Sequence, residues 1–276
     1  MNHHKIIGGG GIQLHVVEAG KPTGRPILFI HGFSQCSLAW ARQLTSDLAD
    51  DHRLVAMDIR GHGLSDKPRE GYENSQLWAD DVNGVITTLE LDHPILCGWS
   101  YGPLPIFDYI RYYGEDGIGG VQIVGGISKL GSDEAASVIT PEFLSLLPGF
   151  FSTRAEDSVR SLESLLRLCF LKAPSSEELY LMLGYNVIVP PYVRQALFSR
   201  SVDNDDILPK MRKPVLITRG TADSVVKSAV VDQHKGLIPH AQIQLMPHAG
   251  HAAFWDDAAT FNQRLRAFAD SPSTRS

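Results

Sequence analysis

Short, wholly apolar runs bounded by turn residues alternate along this chain with longer stretches of helical periodicity, and no other feature restricts the fold as much. Pro26-Ile27-Leu28-Phe29-Ile30 is the clearest run. Every side chain in it is apolar, so both faces of the strand it forms must be covered, as in a parallel sheet sandwiched by helices. Residues 54–57, 94–97, 121–124, 214–218 and 243–246 read the same way, and residues 12–17 alternate enough for a first strand. Between them, residues 38–48 read as a helix, and Leu77, Val82, Val85, Ile86 and Leu89 recur at helical spacing. Another helix runs through Ile106 and Ile110, and a closing helix carries Phe254, Phe261, Leu265 and Phe268. The expected class is α/β, a mostly parallel twisted sheet flanked by helices.

The rhythm stops between about Ser132 and Leu208. Helical segments occur there at 161–168 and 177–183, but no buried strand does, and Pro141, Pro148, Pro190 and Pro191 cut the region into short pieces. Placed between two core strands, residues 132–208 read as a helical cap, leaving 1–131 and 209–276 as the core. Of its apolar residues (Phe143, Leu147, Phe150, Phe151, Phe170, Tyr180 and Tyr185), most are expected to pack the cap onto the core. The rest would line an apolar substrate cavity beneath it.

Gly98-Trp99-Ser100-Tyr101-Gly102 matches G-x-S-x-G, and its setting gives the match its weight. The motif follows a buried strand directly and opens a helix. So sharp a turn needs small neighbours to let the serine backbone take a strained conformation, which Gly98 and Gly102 permit. Ser100 Oγ then stands at the carboxyl end of the sheet; the bland alternative is a helix-capping serine. A serine hydroxyl needs a base, and the base needs an acid to orient it. Asp223 and His251 each lie just past a strand, where sites in such sheets gather. Singly they would be a solvated turn carboxylate and a helix-start side chain. In the order serine, aspartate, histidine they make a candidate catalytic triad, with His248 as the competing base. His31-Gly32-Phe33-Ser34 ends another strand, so the backbone N–H groups of Phe33 and Tyr101 are the candidate oxyanion hole. His31 is read as fixing its turn rather than as a second base.

The same residues carry a family resemblance. His31-Gly32-Phe33, the Asp58-Ile59-Arg60-Gly61-His62-Gly63-Leu64-Ser65-Asp66 stretch, Gly98 to Gly102, Asp223 and Gly250-His251 together resemble the α/β-hydrolase superfamily over nearly the whole chain. Within it the chain looks most like the cofactor-free haloperoxidase and esterase branch. The resemblance implies an α/β-hydrolase fold with a helical cap, a Ser100–His251–Asp223 triad and an acyl-serine intermediate released by water. Gly250-His251 fits the family pattern, which His248 does not. Two positions depart from it. Pro103 stands where many relatives carry another glycine; at the first helical turn its missing N–H is harmless, though its ring narrows the helix start. Ser34 follows the oxyanion residue where peroxide-using relatives usually have proline, which weighs against perhydrolysis. Serine at position 100, where dehalogenases and epoxide hydrolases of the superfamily use aspartate, argues for acyl transfer.

Composition removes other classes. Lys+Arg 25 against Asp+Glu 31 gives a net charge of −6, without the basic excess that nucleic acid or an anionic membrane would require. Cys36, Cys97 and Cys169 are far apart with no CxxC, so neither a disulfide framework nor a zinc knuckle is expected, and a reducing compartment fits. No apolar run suits a signal peptide or a spanning helix, which makes the cytoplasm the expected location. Eleven histidines show no H-E-x-x-H or comparable spacing, so neither a metal nor an organic cofactor is expected. Ser224-Val225-Val226-Lys227 matches S-x-x-K without its partner motifs, and Ser224 is expected to cap the next helix. Gly8 to Gly11 precede a strand and read as a turn. Asp203, Asp205 and Asp206 read as a solvated loop, and Asp58 and Arg60 as fixing their own turn.

The expected function is a serine hydrolase that cleaves a small carboxylic ester or lactone, with no nucleic-acid or membrane partner. Oligomeric state stays open, a homodimer being compatible. The alternatives are a perhydrolase or non-haem haloperoxidase using the same triad, a slow-turnover ligand receptor on this fold, and a carbon–carbon hydrolase or lyase.

Overall fold

The computed structural model describes residues 1–272. Its eight strands are β1 (Asn2–Ile7), β2 (Gln13–Gly20), β3 (Arg25–Ile30), β4 (His52–Met57), β5 (Ile95–Trp99), β6 (Gly120–Val124), β7 (Val215–Gly220) and β8 (Gln242–Met246). They form one sheet in the order β1-β2-β4-β3-β5-β6-β7-β8. The β1–β2 and β2–β4 pairs are antiparallel, and every pairing from β4 through to β8 is parallel. Phe29 sits in register with Ala56 on one side and Cys97 on the other, and all three are buried. The mostly parallel sheet expected from the apolar runs is therefore the one found.

Two strands differ from expectation. β1 is not legible in the sequence, because Asn2-His3-His4-Lys5 carries no apolar signal. Pairing with β2 holds it, with the His3 ring stacked on His15 and His4 Nε2 2.7 Å from Glu18 Oε2. β8 reads as a buried strand, yet Ile243 and Leu245 are 44% and 56% exposed, because it is the last strand and pairs only with β7.

The longer helices are α1 (Ser75–Thr88), α2 (Pro103–Tyr113), α3 (Ala155–Cys169), α4 (Ser176–Val187), α5 (Pro191–Phe198), α6 (Ala229–Leu237) and α7 (Ala258–Ala269). Asn74 caps α1 by accepting from Gln76 N, and α1 then buries Trp78, Val82, Val85 and Ile86. Three expectations need correction. Residues 38–48 form a 3₁₀ turn (Ser37–Trp40) and a four-residue helix (Ala41–Leu44) rather than one helix, with another short helix at Leu48–Asp51. The closing helix is broken at Asp257, which caps α7 by accepting from Thr260 N and leaves Phe254 in a separate short helix, Ala253–Asp256. Ser224 caps nothing: its hydroxyl donates to Ala222 O, and α6 starts only at Ala229.

Between β6 and β7, helices are the only regular elements among the described residues, apart from isolated bridges at Leu130↔Val202 and Ile139↔Val226. The short helices Asp133–Ser137, Pro141–Leu144 and Leu147–Phe151 come first, then α3, α4 and α5. α3 buries Leu162, Leu165, Leu166 and Cys169 and turns the Glu156–Arg160 and Glu163–Arg167 ion pairs to solvent. Arg194 of α5 is buried with its Nε donating to Phe150 O and its Nη2 to Ser158 Oγ, so one guanidinium ties three of these helices together. Phe143 and Phe150 face the core through Phe33, whereas Tyr180 is 83% exposed and packs neither the core nor a cavity wall near Ser100. Cys36, Cys97 and Cys169 are buried and unpaired. No described helix is long and apolar enough to cross a membrane.

Two glycines fix how β5 meets α2. A Cβ on Gly102 would lie 2.3 Å from Ile30 O, and one on Gly98 would lie 2.7 Å from Pro103 N. Both obstacles are backbone and cannot swing aside. Gly102→Ala is therefore expected to destabilise the fold by about 1–3 kcal/mol, read as a lower midpoint in chemical denaturation. An unchanged midpoint would mean that strand and helix do not approach this closely.

Candidate active site

β3 is followed in the chain by β4, its neighbour on one side, and later by β5, its neighbour on the other. Loops leaving β3 and β5 therefore diverge, and a crevice opens at the carboxyl end of the sheet, where ligands bind in sheets of this kind. The loop His31-Gly32-Phe33-Ser34 leaves β3 there, and Ser100 leaves β5 there.

Ser100 has φ 59°, the left-handed region that L-residues seldom adopt. Its N–H donates to Val124 O at 3.0 Å, and Gly102 N closes the turn onto Trp99 O at 2.7 Å. Gly102, not Ser100, takes the cap position of α2, and Pro103 opens the helix. Ser100 is partly exposed, at the floor of the crevice. Gly32 approaches it so closely that a Cβ there would lie 2.9 Å from Ser100 Cβ. Among the described residues, the N–H groups of Phe33 and Tyr101 have no acceptor. Two unpaired amides on the residues flanking a serine site are suited to a developing negative oxygen.

Two buried histidines shape the β3 loop. His31 Nδ1 donates to Gly32 O, and its Nε2 accepts from Ile59 N; His62 Nδ1 donates to Arg60 O, and its Nε2 accepts from Ser34 N. Each ring thus uses one nitrogen as donor and the other as acceptor, which only neutral imidazole can do. Burial lowers both pKa values, that of His62 to about 3 with His31 adding to the effect. His31 accordingly fixes its turn. Ser34 has φ 60° and uses its N–H, two things a proline at this position could not supply.

Asp223 lies beyond β7 with its side chain fully buried. Its Oδ1 accepts from Val225 N (2.8 Å) and Val226 N (2.9 Å), and its Oδ2 lies 2.9 Å from His251 Nδ1. Burial pushes its pKa up, but the charge and hydrogen bond of His251 and the two amides outweigh burial and hold it below the usual carboxylate value. A carboxylate only accepts, so Nδ1 of His251 carries a proton, and in the neutral ring the lone pair is then on Nε2. His251 lies beyond β8 and is braced from two sides. The Trp99 indole donates to its carbonyl at 3.1 Å with the rings 5.5 Å apart, and Asp256 Oδ2 accepts from Gly250 N and from Leu171 N just past α3. His248 is exposed and outside this arrangement.

Ser100 and His251 line one small cavity of about 10 Å³ with Gly32, Phe33 and Trp99. Among the described residues no hydrogen bond joins Ser100 Oγ to the His251 ring. Such contacts are commonly loose before substrate binds and tighten in the complex. A larger cavity of about 310 Å³ reaches from Ser100, Phe33 and Tyr101 to Phe143, Leu147 and Phe198 under the helical segment. No group of three His, Cys, Asp or Glu able to hold a metal occurs among the described residues.

Two contributors carried no signal strong enough to assign from sequence. Gly125, at the end of β6, has φ 50°, and a Cβ there would press to 3.1 Å from His251 Nδ1 and 3.2 Å from Asp223 Oδ2. The Gly125-Gly126 pair after a strand was the available hint. Trp99 lies inside the serine motif at a position the motif leaves free. Trp99→Phe removes the bond to the His251 carbonyl and is expected to lower kcat by about 10–100-fold with KM changed far less. A raised KM with kcat unchanged would show that Trp99 serves substrate binding instead.

Residues 25–258 match the family described as alpha/beta hydrolase fold. The structure is similar to that of esterase RhEst1 from Rhodococcus sp. ECU1013, with TM-score 0.93 and 33% identity over 98% of this chain and 99% of the other. It is also similar to a putative aryl esterase from Burkholderia cenocepacia, with TM-score 0.90 and 32% identity over 97% of each chain. In sequence it is 26% identical to non-heme chloroperoxidase CPO-A1 from Kitasatospora aureofaciens over 94% of this chain and 96% of the relative.

Proposed function

Because the chain belongs to the α/β-hydrolase family, beside its haloperoxidases and esterases, we propose that it is a serine hydrolase cleaving a carboxylic ester or lactone through an acyl-serine intermediate. The observation that carries this reading is the buried Asp223–His251 hydrogen bond at the edge of a cavity shared with a left-handed Ser100.

In this reading Ser100 Oγ attacks the ester carbonyl while His251 Nε2 takes its proton, and Asp223 holds the imidazole in that tautomer. The carbonyl oxygen becomes an oxyanion received by the Phe33 and Tyr101 amides, a term worth on the order of 10²–10³ in rate per donor. Collapse breaks the bond to the alcohol oxygen, which leaves with the proton from His251. Water then attacks the acyl-serine with His251 again as base, and the acid departs. Residues 132–208 serve as the cap that shapes the substrate cavity.

The peroxide-using alternative has the same triad but is less well supported, because Ser34, with its left-handed backbone and donated N–H, stands where the family resemblance usually places a proline in peroxide-using relatives. A panel of p-nitrophenyl esters and lactones, run beside acetate-dependent bromination with hydrogen peroxide, tests the reading. Ester or lactone hydrolysis well above bromination is expected; bromination as the dominant activity would replace this function with the alternative.

A further inference from the structure

The cavity of about 310 Å³ beside Ser100 has walls that include Ile139, Phe143, Leu144 and Phe198. Lys129 is the single cationic side chain in its described lining. Its ammonium is committed elsewhere, at 2.8 Å from Glu134 Oε1 and 2.5 Å from Asp205 Oδ2, with the side chain 10% exposed. Burial opposes the charge on Lys129, but those two hydrogen bonds prevail and raise its pKa, so the ammonium stays charged at neutral pH. One ammonium against two carboxylates leaves a negative balance, and Asp133 in the lining adds to it. A carboxylate entering here would shed its water and meet no unpaired cation, which is unfavourable.

We propose, on the basis of the ester-hydrolase reading above, that this cavity receives a neutral apolar group of the ester and rejects a carboxylate-bearing one, Glu134 and Asp205 setting that preference by neutralising Lys129. Neither carboxylate touches the reacting atoms in this assignment. They act through the lysine.

The test uses two matched pairs, because the cavity can take either side of the ester. Ethyl hexanoate against monoethyl adipate varies charge on the acyl side, and hexyl acetate against 6-acetoxyhexanoate varies it on the alcohol side. Hydrolysis is followed by pH-stat near neutral pH. In at least one pair the neutral ester is expected to exceed the anionic one in kcat/KM by about 100-fold or more. The double variant Glu134→Gln, Asp205→Asn should narrow that gap at least about tenfold through a gain on the anionic ester, each single variant moving it the same way. Single variants guard against a misfolded double variant. Comparable rates within both pairs, or a gap the variants leave unmoved, would overturn the proposal while leaving the hydrolase intact. Absence of turnover on all four esters would instead remove the ester-hydrolase reading on which it rests.

Discussion

Ser100→Ala is expected to lower kcat/KM for a p-nitrophenyl ester by about 10⁴–10⁶ while leaving the denaturation midpoint nearly unchanged. Alanine keeps the Cβ and meets the same left-handed backbone as serine, so the turn between β5 and α2 has no new reason to move. Only the attacking oxygen is lost. In the proposed mechanism the Phe33 and Tyr101 amides and the His251 base remain, and these are expected to sustain a modest acceleration over water. Turnover within tenfold of the wild type in a cleanly folded variant would remove the serine mechanism.

Asp223→Asn is expected to lower kcat by about 10⁴, with KM much less affected. The asparagine oxygen can still accept from Val225 N and Val226 N, so the loop stays in place. The other atom becomes an NH₂ facing His251 Nδ1, where a carboxylate oxygen stood at 2.9 Å. Two donors cannot face each other, so the ring shifts its proton to Nε2, which then cannot accept from Ser100. The wild-type carboxyl, held below its ordinary 3.8, stays ionised as pH falls to that value and is neutralised only further down. An acid limb in the activity profile above pH 4 therefore belongs to another group. Wild-type kcat in this variant would show that the Asp223–His251 contact is structural only.

The parts of this molecule visible in its sequence are those written in local patterns. Continuous apolar runs such as 26–30 announce strands covered on both faces, and the residues just past three of those strands are Ser100, Asp223 and His251. The parts that were not visible depend on contacts between distant segments. β1 has no apolar alternation and exists through its pairing with β2. Gly125 and Trp99 matter because β5 and β6 bring them against His251. Asp205 and Asp206 look like a solvated loop in sequence. In the structure Asp205 pairs with Lys129 and Asp206 with Arg111, because the loop folds back along both. The closing helix breaks at Asp257 although its apolar spacing continues, since a capping aspartate there restarts the helix.

The proposed serine mechanism requires a covalent bond between substrate and Ser100. Rapid mixing with a p-nitrophenyl ester, acid quench and mass analysis of the digested chain measures it directly. One acyl group per chain on the peptide containing Ser100, appearing with the first release of nitrophenol, is the predicted result. Steady release of nitrophenol with no acyl group on the chain, or with the acyl group on another residue, would contradict it.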